Sequence, residues 1–178
     1  MAARARLQAE RKSLRQDRSW IRCPQNLRGF EAKPRVAADG SQDLMNWACS
    51  IPGPENSPWA DSRLPLSLSF TTDYPQEPPY AKFDLMPGKK TSLFHPNIFP
   101  EGEVCLDVLR PKNEPGGVWQ SSLTIKTVLI ALRRLLAEPN NNDPAQAAAR
   151  DVYRKSRTEW EKRVKAQVAV LKDHDLEL

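Results

Sequence analysis

The sequence predicts an α+β domain: an N-terminal helix, a four-stranded antiparallel meander, an irregular loop and C-terminal helices. Three observations carry this reading. Twelve of the 16 prolines fall between Pro52 and Pro115, which leaves room for long helices only towards the ends. Within that span LPLSLSF alternates, placing Leu64, Leu66, Leu68 and Phe70 on one face of a strand. After Thr124 the apolar residues recur every three or four positions instead, which is helical spacing.

Residues 3–18 read as the first helix, with Leu7 and Leu14 on one stripe. Arg4, Arg11, Arg15 and Arg18 follow one another at seven, four and three residues and share a neighbouring stripe. Strand candidates are 28–34, 43–51, 64–70 and 80–84, separated by Pro and Gly clusters such as IPGPENSP. The segment HPNIFPEGEVCL at 95–106 holds Pro100 and Gly102 and is too irregular for helix or strand. Thr124 then caps a helix with Ile125, Val128, Leu129, Leu132 and Leu136 on one face, stopped by Pro139. Asp143-Pro144 reads as an N-cap followed by proline at the first helical position. Helical pattern continues to about residue 171 in two segments. Residues 1–173 form a single domain and 174–178 a short disordered tail, without internal repeats.

A chain of 178 residues can bury a full core, and 39% hydrophobic with 28% charged residues is ordinary for a globular protein. No apolar run approaches the roughly 18 residues of a membrane span, and no apolar h-region for secretion is present. No membrane role is expected. Cys23, Cys49 and Cys105 cannot build a full disulfide framework, which points to a reducing compartment. Residues 1–18 supply +4 of the net charge of +5, so the chain has a basic patch rather than a basic character. Without aromatic interleaving that patch is a weak nucleic-acid signal, and no nucleic acid is expected. The two histidines, His95 and His174, and the scattered cysteines offer no ligand spacing, so no metal or cofactor is expected.

The loop at 95–106 carries the chemistry. Cys105 lies eight residues after Asn97, and a thiol and an amide on one rigid loop can form a covalent acyl intermediate and steady its oxyanion. A thiol with pKa near ~8.5 is only slightly ionised at neutral pH, yet it is intrinsically nucleophilic. A lone cysteine is otherwise a small buried hydrophobe, so the frame around it decides.

That frame, His-Pro-Asn followed by V-C-L, resembles the active-site loop of the ubiquitin-conjugating superfamily. DYPQEPP at 73–79, Trp119 and EPN at 138–140 match the same superfamily, and the resemblance runs from about Arg6 to Val168. It implies the ubiquitin-conjugating fold. AERKSLRQD at 9–17, DLMNWACSIPG at 43–53, SPW at 57–59, DPAQAAA at 143–149 and EKRVKAQV at 161–168 resemble the SUMO-conjugating branch. The resemblance implies that Cys105 takes SUMO as a thioester from an ATP-using SUMO-activating enzyme and passes it to substrate lysines. SUMO ligases are then further partners, and nucleus and cytoplasm the expected compartments. Ubiquitin or NEDD8 carriage is one alternative and a non-catalytic modifier-binding scaffold another. The presence of Cys105, Asn97 and Asp143 together counts against the scaffold.

Asn97 is the expected oxyanion stabiliser, unless it is a turn asparagine bonded to its own backbone. His95 is expected to support the loop through its ring nitrogens, together with Pro96 and Phe99. Asp143 occupies the family's acidic position facing the incoming lysine. Deprotonating a free lysine at pH 7 costs roughly 4–5 kcal/mol, and a carboxylate alone would hold the proton on. Asp143 is therefore expected to orient the amine, with desolvation lowering the lysine pKa.

The substrate groove maps to Tyr80, Lys82, Glu101, Glu103, Pro144, Ala145, Gln146 and Arg150. The family reads an acidic residue two positions after the target lysine with hydroxyls and basic groups. Here Glu101 and Glu103 stand for serine and threonine, Tyr80 for a lysine, and Phe99 and Arg150 for tyrosines. Only Lys82 keeps a basic group, so the preference for Ψ-Lys-x-Glu should be weakened, with Arg150 compensating; otherwise both glutamates point into solvent. Arg11, Lys12, Arg15 and Arg18 resemble the family's contact surface for the activating enzyme and a second, non-covalent SUMO; a merely solvated face is the competing reading. Insertions relative to the family, near 19–26, 86–92 and 110–117, receive no role.

Overall fold

Helix α1 (Ala2–Gln16) buries Ala3, Leu7, Glu10 and Leu14, a stripe at spacings of four, three and four. The computed structural model describes residues 2–17 and 29–173. Arg18, Cys23, the 19–26 insertion, residue 28, His174 and the predicted tail lie outside the described residues. Within the apolar stripe Glu10 is the exception. Its carboxylate accepts from Arg6 Nε (2.6 Å), the Tyr74 hydroxyl (2.6 Å) and the backbone N–H of Ile125 (2.7 Å). Three donors offset the cost of burying the charge. The Ile125 N–H belongs to a helix start whose first donors lack intrahelical partners, so Glu10 fastens the two helices together.

The sheet comprises β1 (Glu31–Val36), β2 (Gln42–Pro52), β3 (Arg63–Ser69) and β4 (Tyr80–Phe83), antiparallel in the order β1-β2-β3-β4. This is the predicted meander. Leu64, Leu66 and Leu68 pair with Ile51, Cys49 and Trp47, and all six are buried. The first strand begins at Glu31 rather than 28. Pro34 fits because β1 is an edge strand, and the register slips between Pro34 and Arg35.

A short 3-10 helix at Asp107–Leu109 precedes α2 (Ile125–Ala137), α3 (Ala147–Lys155) and α4 (Arg157–Asp173). Helix α2 buries the five predicted residues and also Leu135, and the Thr124 side chain accepts from the Thr127 N–H as its cap. Trp59, Trp160 and Val164 complete the core beside it.

The start of α3 corrects one expectation. Asp143 is not its N-cap and Pro144 is not its first residue; the helix begins at Ala147, after Gln146. The Ala145 and Gln146 N–H groups both donate to the Pro96 carbonyl, at 2.8 and 3.0 Å. Residues 143–146 are thereby bound to the loop at 95–106 instead of entering the helix. The Gln146 side chain makes no cap and reaches the Ile98 carbonyl at 3.1 Å.

Candidate active site

The loop at 95–106 is built on a buried histidine. His95 is 0% exposed. Its Nε2–H donates to the Leu135 carbonyl of α2 (3.0 Å), while Nδ1 accepts the Asn97 N–H (3.1 Å). Burial holds its pKa down to about 3, so the ring stays neutral at physiological pH. Both ring nitrogens are occupied within the protein, and neither is open to a substrate.

The loop returns on itself through the Phe99 N–H to the Glu103 carbonyl (2.8 Å) and the Cys105 N–H to the Asn97 carbonyl (2.9 Å). Gly102 permits this turn. Its φ is +100°, and a Cβ there would lie 2.0 Å from the Phe83 carbonyl oxygen. Eight residues of chain thus bring Cys105 back beside Asn97.

Asn97 is 1% exposed, and its side chain is fully engaged. Nδ2 donates to the carbonyls of Asn140 (2.7 Å) and Asp143 (3.1 Å), and Oδ1 accepts the Asn140 N–H (2.8 Å). The amide therefore clamps the cysteine loop to the 140–143 segment. A role at the oxyanion requires it to release one of these donors.

Of the free cysteines among the described residues, Cys49 is buried in β2 and Cys105 is partly exposed. Desolvation pushes the Cys49 thiol up, out of use as a nucleophile. Cys105 Sγ lies 2.6 Å from Arg110 Nη2 and 3.4 Å from Asp143 Oδ2. The same Nη2 pairs with Asp143 Oδ2, so thiol, guanidinium and carboxylate form a closed triangle. Burial raises the Cys105 pKa and the Asp143 carboxylate raises it further, while Arg110 opposes both. Arg110 chiefly, with help from the thiol, holds the Asp143 carboxyl below the usual carboxylate range. Asp143 is thus a weak base beside the sulfur, suited to orienting a cation rather than removing its proton.

Arg110 was the residue that sequence reasoning passed over. It opens the 110–117 insertion, and the available signal was a cation five residues beyond the cysteine. The insertion is closed at its base. The Arg110 N–H donates to the Asp107 carbonyl (3.1 Å), and the Arg110 carbonyl accepts the Trp119 N–H (3.2 Å).

Around this centre the residues expected to form the substrate groove are brought together only in part. The Tyr80 hydroxyl bonds the Glu103 carboxylate; burial and that carboxylate push its pKa to about 12. Lys82 bridges Glu103 through the backbone. Glu101, Glu103, Tyr80 and Phe99 are exposed, and Pro144 and Ala145 half-buried. Arg150 is paired with its neighbour Asp151 at 2.8 Å. On α1, a separate element, Lys12 and Arg15 are exposed and Arg11 half-buried beside an open groove shared with Ala5, Gln8, Ala9 and Gln16.

A family model described as ubiquitin-conjugating enzyme matches residues 7–168. The chain is 40% identical over 165 residues to the SUMO-conjugating enzyme UBC9 of Caenorhabditis elegans, covering 93% of this chain and 89% of that protein. It is 39% identical over 165 residues to the SUMO-conjugating enzyme SCE1 of Arabidopsis thaliana, covering 93% and 92%. It is also 39% identical over 166 residues to the SUMO-conjugating enzyme ubc9 of Dictyostelium discoideum, covering 93% of each chain.

Proposed function

Because the chain belongs to the ubiquitin-conjugating enzyme family, we infer that it is a SUMO-conjugating enzyme, a transferase working with SUMO, its activating enzyme and substrate proteins. The observation that carries the subtype is about 40% identity over 93% of the chain to SUMO-conjugating enzymes of an animal, a plant and a slime mould. Cys105 is the acceptor in this reading. Its thiolate attacks the activating enzyme's thioester, and the C–S bond to SUMO passes to Cys105 Sγ.

A substrate lysine then attacks the carbonyl carbon as the neutral amine. The new C–N bond forms, the C–S bond breaks, its electron pair returns to Cys105, and the amine proton leaves to water or to the sulfur. Asp143 orients the amine. Asn97 holds the two loops in register and, on releasing a carbonyl, can meet the oxyanion. The basic face of α1 is the contact surface for the activating enzyme and a second SUMO, and SUMO ligases are further partners. We place the protein in nucleus and cytoplasm, on the family resemblance.

The decisive experiment supplies ATP and matched activating enzymes for SUMO, ubiquitin or NEDD8, followed by a non-reducing gel. A thiol-sensitive adduct forms with SUMO alone. An adduct with ubiquitin or NEDD8 alone overturns the subtype, and none with any modifier favours a non-catalytic scaffold.

Substrate choice is altered in the same reading. Two exposed carboxylates, Glu101 and Glu103, repel an acidic residue placed after the target lysine, though solvent reduces each contribution to a fraction of about 1 kcal/mol. Arg150, already paired with Asp151, compensates little. A peptide array should show acidic preference at that position weakened several-fold relative to a SUMO-conjugating enzyme with hydroxyls there. Full-strength preference would show that the glutamates face away from the bound peptide.

A further inference from the structure

We propose that Arg110 is a catalytic residue of the transfer step, donating to the thioester carbonyl oxygen and to the departing Cys105 sulfur. The proposal rests on the acyl-transfer reading given above and deepens it.

Position is the first argument. Arg110 Nη2 is 2.6 Å from Cys105 Sγ. Once an acyl group is attached, its carbonyl oxygen is one carbon from that sulfur, within reach of the same guanidinium. A guanidinium carries five N–H donors on a planar fork. Here Nη2 serves the sulfur and Asp143, while Nε and Nη1 meet no partner among the described residues. Arg110 therefore has donors available for a developing oxyanion.

The second argument is the state of the alternative donor. Both N–H groups of Asn97 are spent on the carbonyls of Asn140 and Asp143. Using one for the oxyanion opens the clamp between the two loops. Arg110 faces no such conflict.

Preorganisation is the third. The Arg110 backbone is held on both sides, by Asp107 and by buried Trp119. The loop beyond it is tight enough that a Cβ on Gly117 would meet the Pro111 carbonyl at 1.9 Å. The guanidinium itself is held by its contacts with Asp143 and Cys105, and a donor already in place costs little reorganisation when charge develops. As the amine attacks, negative charge grows first on the carbonyl oxygen and then on Cys105 Sγ as the C–S bond breaks. One cation beside both atoms stabilises both stages, while its contact with Asp143 holds that carboxylate beside the sulfur, where the amine must approach.

The test isolates discharge from charging. Each variant is charged with SUMO to completion, the thioester is purified, and its decay with a lysine-bearing peptide is followed near neutral pH. Arg110→Ala should discharge roughly 10²-fold more slowly, the usual loss for one oxyanion donor. Arg110→Lys should recover part of this, because it keeps the charge without the fork. A second pair decides between direct action and mere positioning of Asp143. In an Asp143→Ala background, Arg110→Ala should still cost tenfold or more. No further loss in that background overturns the proposal in favour of a positioning role. Equal discharge rates with and without Arg110 overturn it outright and leave the acyl-transfer reading standing. A native chain that never forms the thioester overturns that reading, and this inference with it.

Discussion

Cys105→Ser should form the SUMO adduct at pH 7 roughly 10³-fold more slowly than the native chain, because the described residues around it offer no effective base to activate a hydroxyl. Serine nucleophiles depend on a neighbouring proton acceptor. His95 cannot serve: it is fully buried, with one ring nitrogen bonded to Leu135 and the other to Asn97. Asp143 cannot serve well either, since Arg110 holds its carboxyl below the usual range. A thiol avoids the problem by ionising enough on its own, even though burial works against it here. Initial rates of adduct formation on non-reducing gels measure the difference. A serine variant within tenfold of the native rate would mean that a base reaches residue 105 after all.

Asn97→Ala should slow discharge of the SUMO thioester by about 10²-fold and destabilise the fold by about 1–3 kcal/mol. The substitution removes three hydrogen bonds at once and leaves the Asn140 N–H and the carbonyls of Asn140 and Asp143 without their partner. Part of that loss is recovered by water, which keeps the estimate below the sum of three buried bonds. Urea unfolding gives the stability change, and peptide-stimulated discharge gives the rate. Hydrogen exchange at the amides of 140–146 separates the two contributions. Faster exchange there alongside slower transfer identifies the clamp as the cause. Slow transfer with unchanged exchange assigns the effect to direct contact with the reacting carbonyl.

The elements most legible in the sequence are those whose pattern is local. Leu7 and Leu14 announce α1, the alternation of Leu64, Leu66 and Leu68 announces β3, and the spacing from Ile125 to Leu136 announces α2. Glu10 carries no such announcement. It reads as one more charge on a basic helix, and its burial depends on Tyr74 and Ile125 arriving from distant parts of the chain. Asp143 fails for a related reason. Asp-Pro is a sound local helix start, but two hydrogen bonds to the Pro96 carbonyl outweigh the local preference and hold the segment out of α3.

By itself the sequence determined the α+β order, the loop that carries Cys105, and the family to which that loop belongs. Repeats of two, and of three to four, residues record which face of an element is buried, and a rigid Pro/Gly loop marks itself. The tertiary structure alone decided the surroundings of the sulfur. Arg110 lies five residues after Cys105 and Asp143 thirty-eight residues after it, yet all three side chains meet at one point. It also decided that Asn97 spends its amide holding 140–143 in place. Hydrogen bonds and charge pairs between separate loops follow from how the elements pack, and no spacing along the chain records them.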